Sequence, residues 1–169
     1  ITTTFIDSGS FFGTGNGGEI SILAEGNIQS GYISSLSLGE GNGGDITIRS
    51  RSGSIDTSAN DIIADSFGET NRGGDIFISA DGDIKTAIVS VSGNEAGNLT
   101  IESNNGSIDT TNGILFANAE EGNGGNVSLT ALGNISIADT TSSSDNGNGG
   151  NITIISSDGA VFTTGGSLI

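Results

Sequence analysis

Two glycines leading into a short run of alternating apolar and polar residues recur along this chain, and that recurrence leaves little choice but a repeat architecture. The device reads Gly17-Gly18-Glu19-Ile20-Ser21-Ile22, then Gly43-Gly44-Asp45-Ile46-Thr47-Ile48, then Gly73-Gly74-Asp75-Ile76-Phe77-Ile78. It returns as Gly124-Gly125-Asn126-Val127-Ser128-Leu129 and Gly149-Gly150-Asn151-Ile152-Thr153-Ile154, with a divergent copy at Ala96-Gly97-Asn98-Leu99-Thr100-Ile101. The leading apolar residues are spaced by 26, 30, 23, 28 and 25 positions. A unit of that size cannot bury its own apolar face, whereas stacked copies can cover one another.

A second apolar run follows each first one: Ile28, Ile55, Ile84, Ile108, Ile135 and Val161. The gap from first to second run alternates 8, 9, 8, 9, 8, 9. The residue four places into each first run alternates in step, as Ala24, Ser50, Ala80, Ser103, Ala131 and Ser156. The true period is therefore two coils. Ile1-Thr2-Thr3-Thr4 fits the slot of Ile55-Asp56-Thr57-Ser58, one double unit earlier. A third apolar patch, at Ile33 to Leu38, Ile62-Ile63, Ile88 to Val91 and Ile114 to Phe116, precedes the next glycine pair and varies in length. No window carries a helical period.

These spacings predict an all-β chain: one parallel β-helix over residues 1–169, with three short strands per coil and about six coils of roughly 26 residues. Strand alternation places Ile46 and Ile48 inside and Thr47 outside. The glycine pairs are expected at turns needing positive φ, with the adjacent Asn tolerating the same region. Stacked Asn side chains are expected to hydrogen-bond along the rod. An apolar fraction of 33% with 30 glycines would otherwise suggest disorder, but a disordered segment has no cause to space its isoleucines.

The net charge of -16, with only four basic residues, argues against nucleic acid and anionic lipid as partners. No apolar run is long enough to span a membrane. No secretory leader is visible and Ile1 is not an initiator methionine, so the chain reads as processed or as a piece of something longer. With no cysteine, there is no disulfide framework and no thiolate metal site.

The phrase Gly41-Asn42-Gly43-Gly44-Asp45-Ile46-Thr47-Ile48, followed by Gly53-Ser54-Ile55-Asp56-Thr57, resembles the repeat region of two-partner-secretion exoproteins of the filamentous-haemagglutinin type, the cyanobacterial members above all. The resemblance covers essentially the whole chain. It implies a right-handed β-helical rod at the cell surface that mediates adhesion or builds extracellular fibres; the absence of histidine and the presence of only four basic residues argue against an enzyme.

Several residues are candidates for more specific work. The stacked carboxylates Glu19, Asp45 and Asp75 could relieve their mutual repulsion by holding a cation; the bland alternative is that they face solvent. Their spacing is not that of a calcium roll, which needs a ligand turn every nine residues. Asp56 and Asp109 are the carboxylates a carbohydrate-cleaving β-helix would use, but histidine is absent, so they read as turn and solubility residues. Arg49 and Arg51 are expected to pair with Glu25 or Asp81 on adjacent coils. Phe77 falls in a row of hydroxyl residues, where a loop covers it or it makes lateral contacts; Phe11 and Phe12 lie in an early turn. The Ser/Thr rows skip alternate coils and so do not make a regular ice-binding array.

The expected function is that of a secreted structural or adhesive rod, with no cofactor. It would associate end to end or form part of a longer covalent rod, and a surface receptor or polysaccharide is its expected ligand. The alternative is a carbohydrate-active β-helix that binds or cleaves polysaccharide.

Overall fold

The computed structural model describes all 169 residues as a stack of parallel strands with no helix. The first face is a six-stranded sheet made of Ile20–Ala24, Ile46–Ser50, Ile76–Ala80, Leu99–Ser103, Val127–Ala131 and Ile152–Ser156. The second face stacks Ile55–Thr57, Ile84–Thr86, Ile108–Thr110, Ile135–Ile137 and Val161–Thr163. The third stacks Ile62–Ile63, Val89–Ser90, Leu115–Phe116 and Thr140–Thr141. In the first coil the second and third strands run together as Ile28–Ser34, and Thr2–Asp7 lies on it in the same way, so these two faces count as one bent sheet. Gly31 sits at that bend, where a Cβ would collide with the Thr4 carbonyl.

The register is the one the spacing predicts. Ile46 pairs with Ile20 on one side and Ile76 on the other, and the column continues through Leu99, Val127 and Ile152. Ile48 belongs to the parallel column of Ile22, Ile78, Ile101, Leu129 and Ile154. These columns and Ile28, Ile55, Ile84, Ile108 and Ile135 from the second face join third-face residues such as Ile33, Ile62, Val89 and Leu115 in a single core cluster of 25 buried residues, against which the partly buried Ile152 and Ile154 pack. Burying each large aliphatic side chain is worth roughly 1.5–3 kcal/mol. Thr47, Thr100 and Ser128 lie on the outer surface of the first face.

The two-coil period has a hydrogen-bonding cause. Ala24, Ser50, Ala80, Ser103, Ala131 and Ser156 form one inward column. In each nine-residue gap the turn carries one extra residue, and the serine serves it. The Ser103 hydroxyl accepts from the Gly106 amide at 3.1 Å and donates to the Gly82 carbonyl one coil away at 2.8 Å. Ser50 does the same with Gly53 and Gly26, and Ser156 with Gly159 and Gly133. The shorter turns have no such extra amide, and alanine fills the column. The second corner alternates as well. Five positions separate Ile28 from Ile33, Ile84 from Val89 and Ile135 from Thr140, against seven from Ile55 to Ile62 and Ile108 to Leu115. Ile1 departs from its expected slot here: it is five positions from Ile6, the short form, because Thr2–Asp7 copies the unbroken strand Ile28–Ser34.

The glycine pairs are the main departure from expectation. Positive φ occurs only at Gly13 and Gly165, and at no residue other than glycine. The pairs are needed instead because backbones touch there. The second glycine of each pair closes its own coil: Gly74 N–H bonds the Ala64 carbonyl at 2.7 Å, Gly97 that of Val91 at 2.7 Å, and Gly125 that of Ala117 at 2.9 Å. A Cβ on Gly125 would fall on the Gly97 carbonyl, and one on Gly43 on that of Ala64. The neighbouring Asn is likewise selected for its side chain and not for its φ. Asn16 Oδ1 accepts from the Asn42 amide, Asn42 Oδ1 from the Arg72 amide, and Asn123 Oδ1 from the Asn148 amide.

Two substitutions separate these roles. Gly125→Ala is expected to cost about 1–3 kcal/mol or more through overpacking against backbone, whereas Gly26→Ala, with open space at its Cβ, should be nearly neutral. Thermal unfolding of both variants, followed by circular dichroism, tests the difference. Ser103→Ala should lose about 1–3 kcal/mol by stranding the Gly106 amide and the Gly82 carbonyl, and Ala131→Ser should not restore it, because that turn lacks the extra amide.

Candidate functional site

The interior of the rod is filled, so any functional chemistry belongs to its outer faces and corners. Three kinds of surface feature stand out: ladders of polar side chains, a few isolated pairs, and an apolar stripe.

Glu19, Asp45 and Asp75 do fall in one column, ahead of the first face, but two of them are engaged. Asp45 Oδ1 accepts from the Asp75 amide at 2.8 Å. Asp75 Oδ1 accepts from the Asn98 amide at 2.7 Å and the Asn98 side chain at 3.2 Å, and it also pairs with the Arg72 guanidinium. The column continues as Asn98 to Asn126 to Asn151, each Oδ1 taking the next amide at 3.0 Å. These side chains thus work as rungs: an Asp or an Asn takes the next amide through the same Oδ1, and the Nδ2 of Asn98 and of Asn126 adds a second donor to the rung before it. No group of three or more acidic side chains comes together as a metal site would require. A second ladder runs at the first corner. Asn27 Oδ1 receives the Ser54 amide, the Ser54 hydroxyl receives that of Asp83, and Asp83 Oδ1 receives that of Ser107. The ladder then passes through the Ser107 hydroxyl and Asn134 Oδ1 to the amide of Ala160, whose side chain offers no acceptor.

Asp56 and Asp109 lie two coils apart with Lys85 between them in register. Each carboxylate is tied to its own turn: Asp56 Oδ1 accepts from the Ser58 hydroxyl and amide, and Asp109 Oδ1 from those of Thr111. The hydroxyl and amide of Ser58 hold the Asp56 carboxyl below the ordinary carboxylate value; burial opposes them, and the Lys85 charge adds the smallest contribution. The Asp56 carboxyl is thus shifted in the direction opposite to the one the proton donor of a glycosidase would need.

Arg51 pairs with Glu25 at 2.7 Å on the exposed corner, as its position predicts. Arg49 instead lies over the ring of Phe77, its guanidinium carbon 5.7 Å from the centroid. Phe77 is half-buried, with Arg49 of the preceding coil against its ring. Phe5 stacks on Tyr32 at 5.6 Å.

The third corner, between each third strand and the next glycine pair, is where coil length varies. Ser10, Ser37 and Ser66 pair across successive coils, which brings the following residues, Phe11, Leu38 and Phe67, into one exposed row. Phe12 projects beside them and is 93% exposed. The residue before Ser66 is Asp65, a half-buried carboxylate whose Oδ1 accepts from the Ser90 hydroxyl at 2.6 Å and the Ser92 amide at 2.7 Å. Burial raises its pKa above the ordinary 3.8, and those two hydrogen bonds oppose the rise without cancelling it.

No family model matches the chain, and no curated protein or solved structure matches it. The fold and this surface define a parallel β-helical solenoid whose polar rows and apolar stripe face outward.

Asp65→Asn should keep both hydrogen bonds, since Asn118 in the same column accepts from Ser143 in the same manner. A carboxylate whose pKa is raised by folding adds stability only when protonated, below about pH 3.8, and loses that benefit as the pH rises through its folded value. The variant is therefore expected to be more stable than the parent at pH 7, with the difference closing as the pH falls through the folded value toward 3.8. Denaturant melts across that range check the sign.

Proposed function

We propose that this chain is a segment of an extracellular structural or adhesive rod. The observation that carries the reading is the unbroken register of all three faces through successive coils, enclosing a core with no cavity for a ligand or cofactor. Coils spaced by about 4.8 Å make a rod on the order of 30 Å long from this chain alone. Every pair of coils offers the next pair an edge of the same kind, so continuation in one longer chain or end-to-end association in that phase extends the rod by the same hydrogen bonds. The outer faces are short, polar and acidic, which suits solubility and display. The charge of -16 opposes nucleic acid and anionic lipid as partners. Asp45, Asp75 and Asp83 are occupied as ladder rungs and Asp56 and Asp109 as turn caps, which supports a mechanical role over catalysis. Secretion by a two-partner route remains part of this proposal on the resemblance of the repeat alone.

A second reading, polysaccharide binding, is favoured by one observation: the exposed aromatic and apolar row at the third corner, beside hydrogen-bonding side chains.

Negative-stain electron microscopy of the native full-length protein tests the proposal. Rods or filaments of constant width, lengthening in proportion to the number of coils, are the expected result. Compact particles, or release of reducing sugar from a panel of polysaccharides, would overturn it.

A further inference from the structure

The third corner carries a furrow with the make-up of a binding site. Four successive coils place equivalent triplets side by side: 65–67, 92–94, 118–120 and 143–145. The register follows from the backbone bonds of Ser66 N to the Ser92 carbonyl, Gly93 N to that of Asn118 and Ala119 N to that of Ser143. It follows also from the bridges joining Gly93 to Ala119 and Ala119 to Ser144. The middle residues, Ser66, Gly93 and Ala119, are small and buried, and they make the floor. One wall is the column Asp65, Ser92, Asn118 and Ser143. The other has Phe67 at one end and the exposed carboxylates of Glu120 and Asp145 at the other.

We propose that this furrow binds a neutral oligosaccharide laid along the rod axis, one sugar ring to each coil. The proposal rests on the display reading above and supplies the rod with a ligand. Four features of the furrow support it.

The first is pitch. Coils follow one another at about 4.8 Å, close to the advance of one pyranose in an extended chain. The second is preorganisation. Asp65 Oδ1 is held by Ser90 and Ser92, which leaves its other oxygen for a sugar hydroxyl. Asn118 Oδ1 is held at 3.1 Å by the amide and hydroxyl of Ser143, which turns its NH2 group to a fixed position. Side chains immobilised before binding lose little entropy on it.

The third is the aromatic platform. Phe67 is 65% exposed although apolar, and it stands at the end of the furrow where the C–H face of a sugar would stack. The fourth is charge. Asp65, Glu120 and Asp145 accept hydrogen bonds from hydroxyl donors but repel uronates and sulfated sugars, and no basic residue lines the furrow. An extended peptide is a poorer match, because the strand amides along the floor are already bonded between coils and none is free to add a strand.

The test is an amide chemical-shift titration of the folded chain with cellohexaose and mannohexaose, and with hexagalacturonate and hexalysine as charged comparators. Binding at about millimolar Kd by at least one neutral hexasaccharide is expected, with shifts confined to the four triplets and little response to hexagalacturonate. Phe67→Ala should weaken binding about tenfold or more, and Leu38→Ala, outside the furrow, should leave it unchanged. Melting curves of both variants confirm that they are folded. No shift with either neutral sugar, shifts elsewhere on the rod, equal binding of hexagalacturonate, or hexalysine binding alone at the triplets would each overturn the proposal. Micrographs of the Phe67→Ala rod separate the two readings: rods that do not bind sugar sink the site only, whereas a chain that forms no rods removes the reading on which the site rests.

Discussion

Backbone hydrogen bonding from each coil to the next is the constraint on which everything else in this molecule depends. Of its 101 backbone–backbone bonds, those at the corners as well as those in the strands join residues about one coil apart, with the short closures at the glycine pairs as the chief exceptions. Once that spacing is imposed, every position is stacked on its counterpart. Apolar residues become continuous columns, acceptor side chains become ladders, and a residue that is too large meets backbone. A conventional core tolerates exchange of volume between neighbours. A column offers less freedom, because each side chain has its counterparts directly above and below.

The same constraint explains the composition. Thirty glycines would destabilise an ordinary sheet, each costing roughly 0.5–1 kcal/mol relative to alanine. Many of them here occupy places where a neighbouring coil's backbone lies in the space of a Cβ. Asp, Asn and Ser at the corners take up amides that turn geometry would leave without partners. The acidic charge follows in part from that use, since Asp and Asn offer the same acceptor oxygen. The excess of carboxylates then makes the surface repulsive to polyanions.

The core columns, the strand count and the two-coil period were legible because they depend on residue type at regular intervals. The reason for the glycine pairs was not, because glycine serves both positive φ and close approach, and only the distance to the next coil distinguishes them. Glu19, Asp45 and Asp75 align as their spacing implies, but an aligned carboxylate looks the same in sequence whether it binds a cation, faces solvent or receives an amide. The alternation at the second corner was present in the numbering of Ile28, Ile33, Ile55 and Ile62, yet it was masked by third strands that contain Ser90, Thr140 and Thr141. The furrow was hidden for a related reason. Asp65, Ser92, Asn118 and Ser143 share no residue type that would mark them as a column, and their alignment emerges only from the register.

The alternation of serine and alanine at the first corner also sets how such a chain can grow. A long turn brings its own serine, and the carbonyl that this serine binds belongs to the short turn beneath it. Loss or gain of a single coil would set two turns of the same kind against each other and leave the ladder of side-chain acceptors out of phase. Loss or gain of a pair restores every contact. Lengthening such a chain without loss of contacts therefore requires adding coils in pairs.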